Sequence, residues 1–238
     1  MNCNIENLEG KVAIITGAGG AICGEIAQAY AREGISVAIW DISIDAARRR
    51  RDEIVSAGGR AMAFECDVTD KASVASALER TLGEYGTVDI LVNGAGGGRK
   101  EATTSPDLNF FDIEPADMES AMSINYMSAV VPSQAVGRIF AEKQSGVILN
   151  ISSIAGIRPL TRAISYSNGK AATNSFTQWL AVHMAREYLP NIRVNAIAPG
   201  FILTEQNRFL LIDEKTGEAT KRGTDILRSV PAGRYGRP

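Results

Sequence analysis

The sequence predicts an α/β fold built on a buried parallel sheet. Apolar runs of strand character alternate with helical patterns along the chain, and a glycine-rich loop joins the first run to the first helix. A Tyr and a Lys four residues apart, just after the fifth apolar run, add a candidate reactive pair at a strand's carboxyl end.

Each element follows from its pattern. Lys11–Thr16 is an apolar run ending in glycines, and Ala21–Gly34 has helical period and stops at a glycine. Ile35–Asp41 is apolar again, followed by a charged helical stretch at Ile44–Ala57. Arg60–Cys66 reads as strand, Lys71–Tyr85 as helix and Val88–Asn93 as strand. A polar segment from Gly96 to about Asp112 precedes a helix over Pro115–Glu142 and a strand at Val147–Ser152. The helix carrying the Tyr and Lys comes next, over Tyr166–Glu187, then a strand at Ile192–Ala198. These units are read as one domain spanning residues 1–238, without repeat, low-complexity tract or linker.

Composition narrows the function classes. At 45% hydrophobic the chain can bury a large core, and a net charge of -2 gives no reason to expect nucleic acid as a partner. Cys3, Cys23 and Cys66 form no close pair and no metal spacing, and the lone His183 cannot build a metal site. The N-terminus has no apolar signal region, and no apolar run approaches the ~18 residues of a membrane span. A reducing, cytoplasmic location is expected. The run Arg48–Arg51 spreads around its helix and reads as a solvated face.

The loop Thr16–Gly24 has the composition of a dinucleotide site. Gly17, Gly19 and Gly20 let the backbone turn tightly and approach a pyrophosphate, which the helix N-terminus beginning near Ile22 would hold. Asp41 ends the second strand, where a carboxylate can bind both hydroxyls of an adenosine ribose and repel a 2′-phosphate. No Arg or Lys lies in the loop or directly beside Asp41, which favours NAD over NADP, although a helix-capping Asp fits the same position. Asp67 and Val68 end the third strand and could meet the adenine; Asn93, Gly94, Ala95 and Gly96 end the fourth, small enough for a cofactor to lie against the backbone.

The reactive pair is Tyr166 and Lys170, with Ser153 thirteen residues before the Tyr. On a helix, positions i and i+4 share a face, so an ammonium sits beside a phenol. A phenol titrates near pH ~10, and a nearby positive charge favours the phenolate. A tuned Tyr can then exchange a proton at an alcohol or carbonyl carbon.

With these motifs assembled, the chain resembles the short-chain dehydrogenase/reductase family from Lys11 onward, which implies a Rossmann-like, doubly wound parallel sheet. The family's glycine pattern becomes Thr16-Gly17 through Gly24, with Ala21 and Cys23 where the family has glycine, and its Asn-Asn-Ala-Gly becomes Asn93-Gly94-Ala95-Gly96. Asn125, Ser153, Tyr166 and Lys170 match the family's catalytic four, while Asn195–Gly200, Ile202 and Thr204 match its nicotinamide-contacting segment. The resemblance implies that Tyr166 is the acid/base, that Ser153 holds the substrate oxygen, that Lys170 binds the nicotinamide ribose and that Asn125 helps hold a proton-relaying water. It also implies a homo-oligomer, dimer or tetramer, formed through the two long helices.

The chain is similar in particular to the sugar-acid branch of the family, the D-mannonate oxidoreductases (fructuronate reductases). The likeness lies in the Ile22-Cys23 step, in Asn93–Gly97 with Ala102–Thr104 and Phe110–Asp112, and in Phe176–His183 with Gln206–Arg208. A hexonate needs a cation for its carboxylate, and arginine forks suit carboxylates. Arg99, Lys100, Arg158, Arg162 and Arg208 all lie on loops or helix starts beyond strand ends; Arg208 with Asn207 is the first candidate, and for any one of the five a solvated charge is at least as good a reading. Another polyol, a gluconate-like acid or a 3-oxoacyl thioester remains open as substrate, as does a nucleotide-binding protein without turnover. The last alternative arises because the family pattern leads past Gly233–Pro238 into a further helix and strand, so a short C-terminus is expected.

Overall fold

The computed structural model describes residues 8–158, 160–188, 191–204, 207–208, 211–214 and 216–238; Cys3 and Gln206 lie outside the described residues. Two compact units appear, Met1–Ala198 and Pro199–Pro238, where the sequence suggests one domain; each is described by itself.

The first unit holds the sheet. Strands β1 (Val12–Thr16), β2 (Ser36–Asp41), β3 (Ala61–Glu65), β4 (Ile90–Asn93), β5 (Gly146–Ile151) and β6 (Ile192–Ile197) pair in the order β3-β2-β1-β4-β5-β6. Every pairing is parallel, with Ile14 opposite Ala38 and Leu91, and Leu91 opposite Ile148. The near-continuous apolar runs have a simple cause: helices cover both faces, so both side-chain parities are buried. On one face Ile14, Ala38, Trp40, Leu91 and Ile148 share a core cluster with residues of three helices, α3 (Lys71–Tyr85), α4 (Pro115–Lys143) and α5 (Ile164–His183). On the other, Ala13, Ile15, Val37, Ile39 and Val92 join residues of α1 (Ala21–Arg32) and α2 (Ile44–Ser56). Trp40 is fully buried, worth roughly 4 kcal/mol of apolar transfer, and its indole N–H donates to Thr81 Oγ1 at 3.0 Å.

Local chemistry sets the ends of α3 and the start of α4 where the sequence suggests. Asp70 caps α3, accepting from Ala72 and Ser73 amides at 3.3 and 2.9 Å, and Gly86 closes it in the left-handed region at φ 74°. Pro115 starts α4 in its first turn, where the lost N–H costs nothing. Asp89 ties the start of β1 to α4: it accepts the Val12 amide at 2.9 Å and pairs with Lys11 and Lys143.

Three features depart from the pattern-based reading. The long helix expected through Glu187 is regular only to His183 and continues as a π-type turn over Met184–Tyr188. The polar segment after β4 contains two short 3-10 turns, Lys100–Ala102 and Phe110–Asp112. The second unit carries a helix, α6 (Lys221–Ser229), capped by the Thr220 hydroxyl accepting from Gly223 N at 3.0 Å. No helix among the described residues is long and apolar enough to cross a membrane.

Candidate active site

The strand order reverses between β1 and β4, so the helices that follow these two strands pack on opposite faces of the sheet and leave a crevice at the strands' carboxyl ends. The first of these loops is nearly free of side chains. Gly17 has φ 67°, and a Cβ there would lie 2.9 Å from Ala95 Cα. A Cβ on Gly19 would lie 2.6 Å from Ala46 Cβ. Gly20 is the N-cap of α1, and no side chain caps that turn. Bare amide groups at a positive helix end favour an anion. The two segments touch: Thr16 Oγ1 accepts from the amides of Gly94 at 3.0 Å and Ala95 at 3.2 Å.

Asp41 stands at the end of β2. One carboxylate oxygen accepts the Gly19 amide at 3.0 Å and the other the Ser43 amide at 2.9 Å, so the group is oriented by the loop it faces. Asp67 accepts from the amide and hydroxyl of Thr69 and thereby shapes the turn after β3, while Val68 is buried. Asn93 has a different setting from the one its motif suggests. Its side-chain amide turns into the core and donates to Ser133 Oγ at 3.0 Å and Asn150 Oδ1 at 2.9 Å, leaving the main chain of the segment beside the crevice.

Four other residues gather around the ends of β4 and β5. Tyr166 lies in the first turn of α5 and is half-buried. Lys170 follows one turn later, with Nζ 5.9 Å from the Tyr166 ring centroid. Its ammonium is buried and donates to the Ile151 carbonyl at 2.8 Å. Burial pushes the Lys170 pKa down to about 8, with a smaller opposing influence from Cys23. Ser153 is in extended backbone beyond β5 and accepts the Ala155 amide at 3.1 Å, which leaves its hydroxyl proton to donate.

Asn125 is fully buried on α4. Its amide nitrogen donates to Gly97 O and Ala121 O, both at 2.8 Å, and its oxygen accepts the Gly97 amide at 3.0 Å. This clamp explains Gly96, which has φ 142° and whose Cβ would stand 2.7 Å from Asn125 Oδ1 and 3.6 Å from Lys170 Nζ.

Further residues support these four, and no motif in the sequence singles them out. Thr173 is buried and its hydroxyl lies 2.9 Å from the Asn125 carbonyl and 3.0 Å from that of Gly169. At Gly169 a Cβ would approach Asn125 Cβ to 2.7 Å, so α5 and α4 meet without a side chain between them. Asn174 bridges the Ser152 hydroxyl and the Gly156 carbonyl, holding the loop after β5 against α5. Ser128 donates to Ala95 O at 2.9 Å. The available signal was polar residues recurring at helical spacing through 166, 170, 173 and 177 within an otherwise buried face.

In the second unit, Asn207 accepts the Thr204 amide at 2.9 Å and donates to Ile202 O at 2.8 Å, so its side chain shapes the segment holding both residues. Arg208 is exposed, as are Arg99, Lys100, Arg158 and Arg162. Among the described residues, no cluster of His, Cys, Asp and Glu is placed to hold a metal.

A parallel sheet with a bare glycine loop at its switch point, and a Tyr–Lys pair beside it, defines a dinucleotide-dependent oxidoreductase. The short chain dehydrogenase family model matches residues 11–215, and the chain belongs to that family. It is 40% identical to an uncharacterized oxidoreductase, UxuB, of Bacillus subtilis (strain 168), over 98% of this chain and 85% of that protein. It is 37% identical to the 7alpha-hydroxysteroid dehydrogenase of Escherichia coli (strain K12), over 97% of this chain and 84% of that one. A solved structure from Haemophilus influenza, provisionally named a D-mannonate oxidoreductase and holding NAD, superposes with a TM-score of 0.90 at 37% identity, covering 98% of this chain and 85% of its own.

Proposed function

We propose that this chain moves a hydride between NAD and a secondary alcohol or ketone of a sugar acid, of the D-mannonate/D-fructuronate type. The observation that carries the chemistry is the buried Lys170 ammonium beside the Tyr166 ring at the carboxyl edge of β5. The residues present fit NAD: Gly17 and Gly19 let the loop pack tightly on Ala95 and Ala46 without side chains, the α1 N-terminus is uncapped by side chains, and Asp41 is oriented toward the loop. Gly17, Gly19, Gly20 and Ile22 would border the pyrophosphate, Asp41 the adenosine ribose, Asp67 and Val68 the adenine, and Gly94 and Ala95 the nicotinamide half.

When bound, NAD supplies the hydride acceptor or donor. In the oxidation direction Ser153 donates a hydrogen bond to the substrate oxygen. Tyr166 takes the hydroxyl proton as the C–H electron pair leaves with the hydride, so alcohol and NAD⁺ become ketone, NADH and a protonated Tyr166. Lys170 favours the phenolate that accepts this proton. Asn125 fixes the Gly97 backbone and, through its carbonyl, the position of α5.

The sugar-acid reading rests on the NAD-bound neighbour provisionally named a D-mannonate oxidoreductase and on the exposed cations Arg99, Lys100, Arg158, Arg162 and Arg208. A carboxylate on one arginine fork is worth about 1.5–3 kcal/mol, or roughly tenfold or more in kcat/KM over a neutral sugar. Exposed Trp179, Val182 and Tyr188 on and beyond α5 suit a homo-oligomer. The test assays the purified chain, with its mass read by sedimentation, against hexonates, hexuronates, polyols, a bile-acid steroid and a 3-oxoacyl thioester, with NAD and NADP. D-Mannonate oxidation and D-fructuronate reduction with NAD should lead. Turnover of steroid or thioester with none of the hexonates would overturn the substrate class.

A further inference from the structure

Cys23 stands in the first turn of α1 and Gly94 directly follows β4, and the structure brings the two together. A Cβ added to Gly94 would lie 2.0 Å from Cys23 Sγ, well inside any tolerable contact, and also 3.1 Å from Thr16 O and 3.3 Å from Ile151 Cγ1. Cys23 is 4% exposed and belongs to the core cluster that includes Val92 and Ile151. A helical residue has few side-chain rotamers to choose from, and this one is packed, so the sulfur has little room to swing aside. These are also two of the positions where the chain departs from the family pattern: a side chain at 23 replaces a glycine, and a glycine at 94 replaces a side chain.

We propose that Cys23 and Gly94 are a matched pair, the sulfur filling the volume a side chain at position 94 would need and so setting the spacing of the two loops that border the dinucleotide site. Three contacts then close those loops on each other: the Thr16 hydroxyl on the Gly94 and Ala95 amides, Gly17 on Ala95, and Cys23 on Gly94. Cys23 acts by its size and place. Burial holds its thiol up at about 12, which leaves almost none of the thiolate that redox or nucleophilic chemistry needs. It is a positioning residue for cofactor binding, and the inference rests on NAD as the cofactor.

The test is a double-mutant cycle on the full chain: wild type, Cys23→Ala, Gly94→Ala and the double variant. Calorimetric titration gives the Kd for NAD, and thermal melts are run alongside. Gly94→Ala in the wild-type background should weaken NAD by roughly tenfold or more, and in the Cys23→Ala background by less than about threefold. A merely structural role would lower the melting temperature and the bound stoichiometry while leaving Kd unchanged. Equal losses in both backgrounds, or no loss in either, would overturn the pairing. Should Gly94→Ala fail to fold, recovery of folding in the double variant supports the pair, and failure there as well sinks it. Absence of NAD binding by the wild type would instead strike the cofactor reading; the coupling would still be read in the melts.

Discussion

Lys170 shows how a fold can hold a single charged residue against its own solvation. Its folded pKa is about 8 against an ordinary 10.5, with burial as the main cause. Below about pH 8 both folded and unfolded chains carry the proton, and the fold bears the whole cost of the buried charge. Between about 8 and 10.5 the folded chain releases its proton first, so the unfolded state binds more protons and stability rises with pH. The difference corresponds to about 3 kcal/mol. Replacing Lys170 by Met removes that penalty at the cost of about 1 kcal/mol for the unpaired Ile151 carbonyl. Without cofactor, Lys170→Met should melt higher than wild type at neutral pH, with the gap closing toward pH ~10 as wild type gains stability. It should also lose turnover, a trade of function for stability. A variant that melts lower at neutral pH and keeps a constant gap would show that the buried ammonium is not strained.

At the scale of elements, α5 is the part that brings the site together. It carries Tyr166 and Lys170, touches α4 at Gly169, reaches the Asn125 carbonyl through Thr173, and holds the loop after β5 through Asn174. Thr173→Val keeps the shape and removes the hydroxyl. About 1–2 kcal/mol of stability should be lost. Because Tyr166 and Lys170 are then less well placed relative to the Gly97 segment, kcat should fall about tenfold while NAD affinity holds. Thr173→Ser, which retains the hydroxyl, should restore kcat. Stability and kcat both unchanged in the Val variant would remove Thr173 from the account. This tie was hidden in the sequence because helical period marks a buried face without saying which buried hydroxyl meets which carbonyl.

For the molecule as a whole, the sheet was legible because strands covered on both faces must be apolar throughout, and six such runs stand in the chain. The Tyr166–Lys170 spacing was legible because one helical turn sets it. Contacts between residues far apart in sequence were not: nothing in the chain tells that Cys23 lies on Gly94 or that the Asn93 amide turns inward to Ser133 and Asn150. The 3-10 turns after β4 are too short to carry an apolar period, whereas helix α6, though short and largely polar, is amphipathic and was legible in the pattern. The proposed chemistry needs this fold to aim one phenol, Tyr166, at a substrate oxygen beside bound NAD. The most direct measurement compares wild type with Tyr166→Phe for D-mannonate turnover and NAD binding. The variant should bind NAD as wild type does and lose turnover by about 10²–10⁴-fold, while activity within about threefold of wild type would contradict the account.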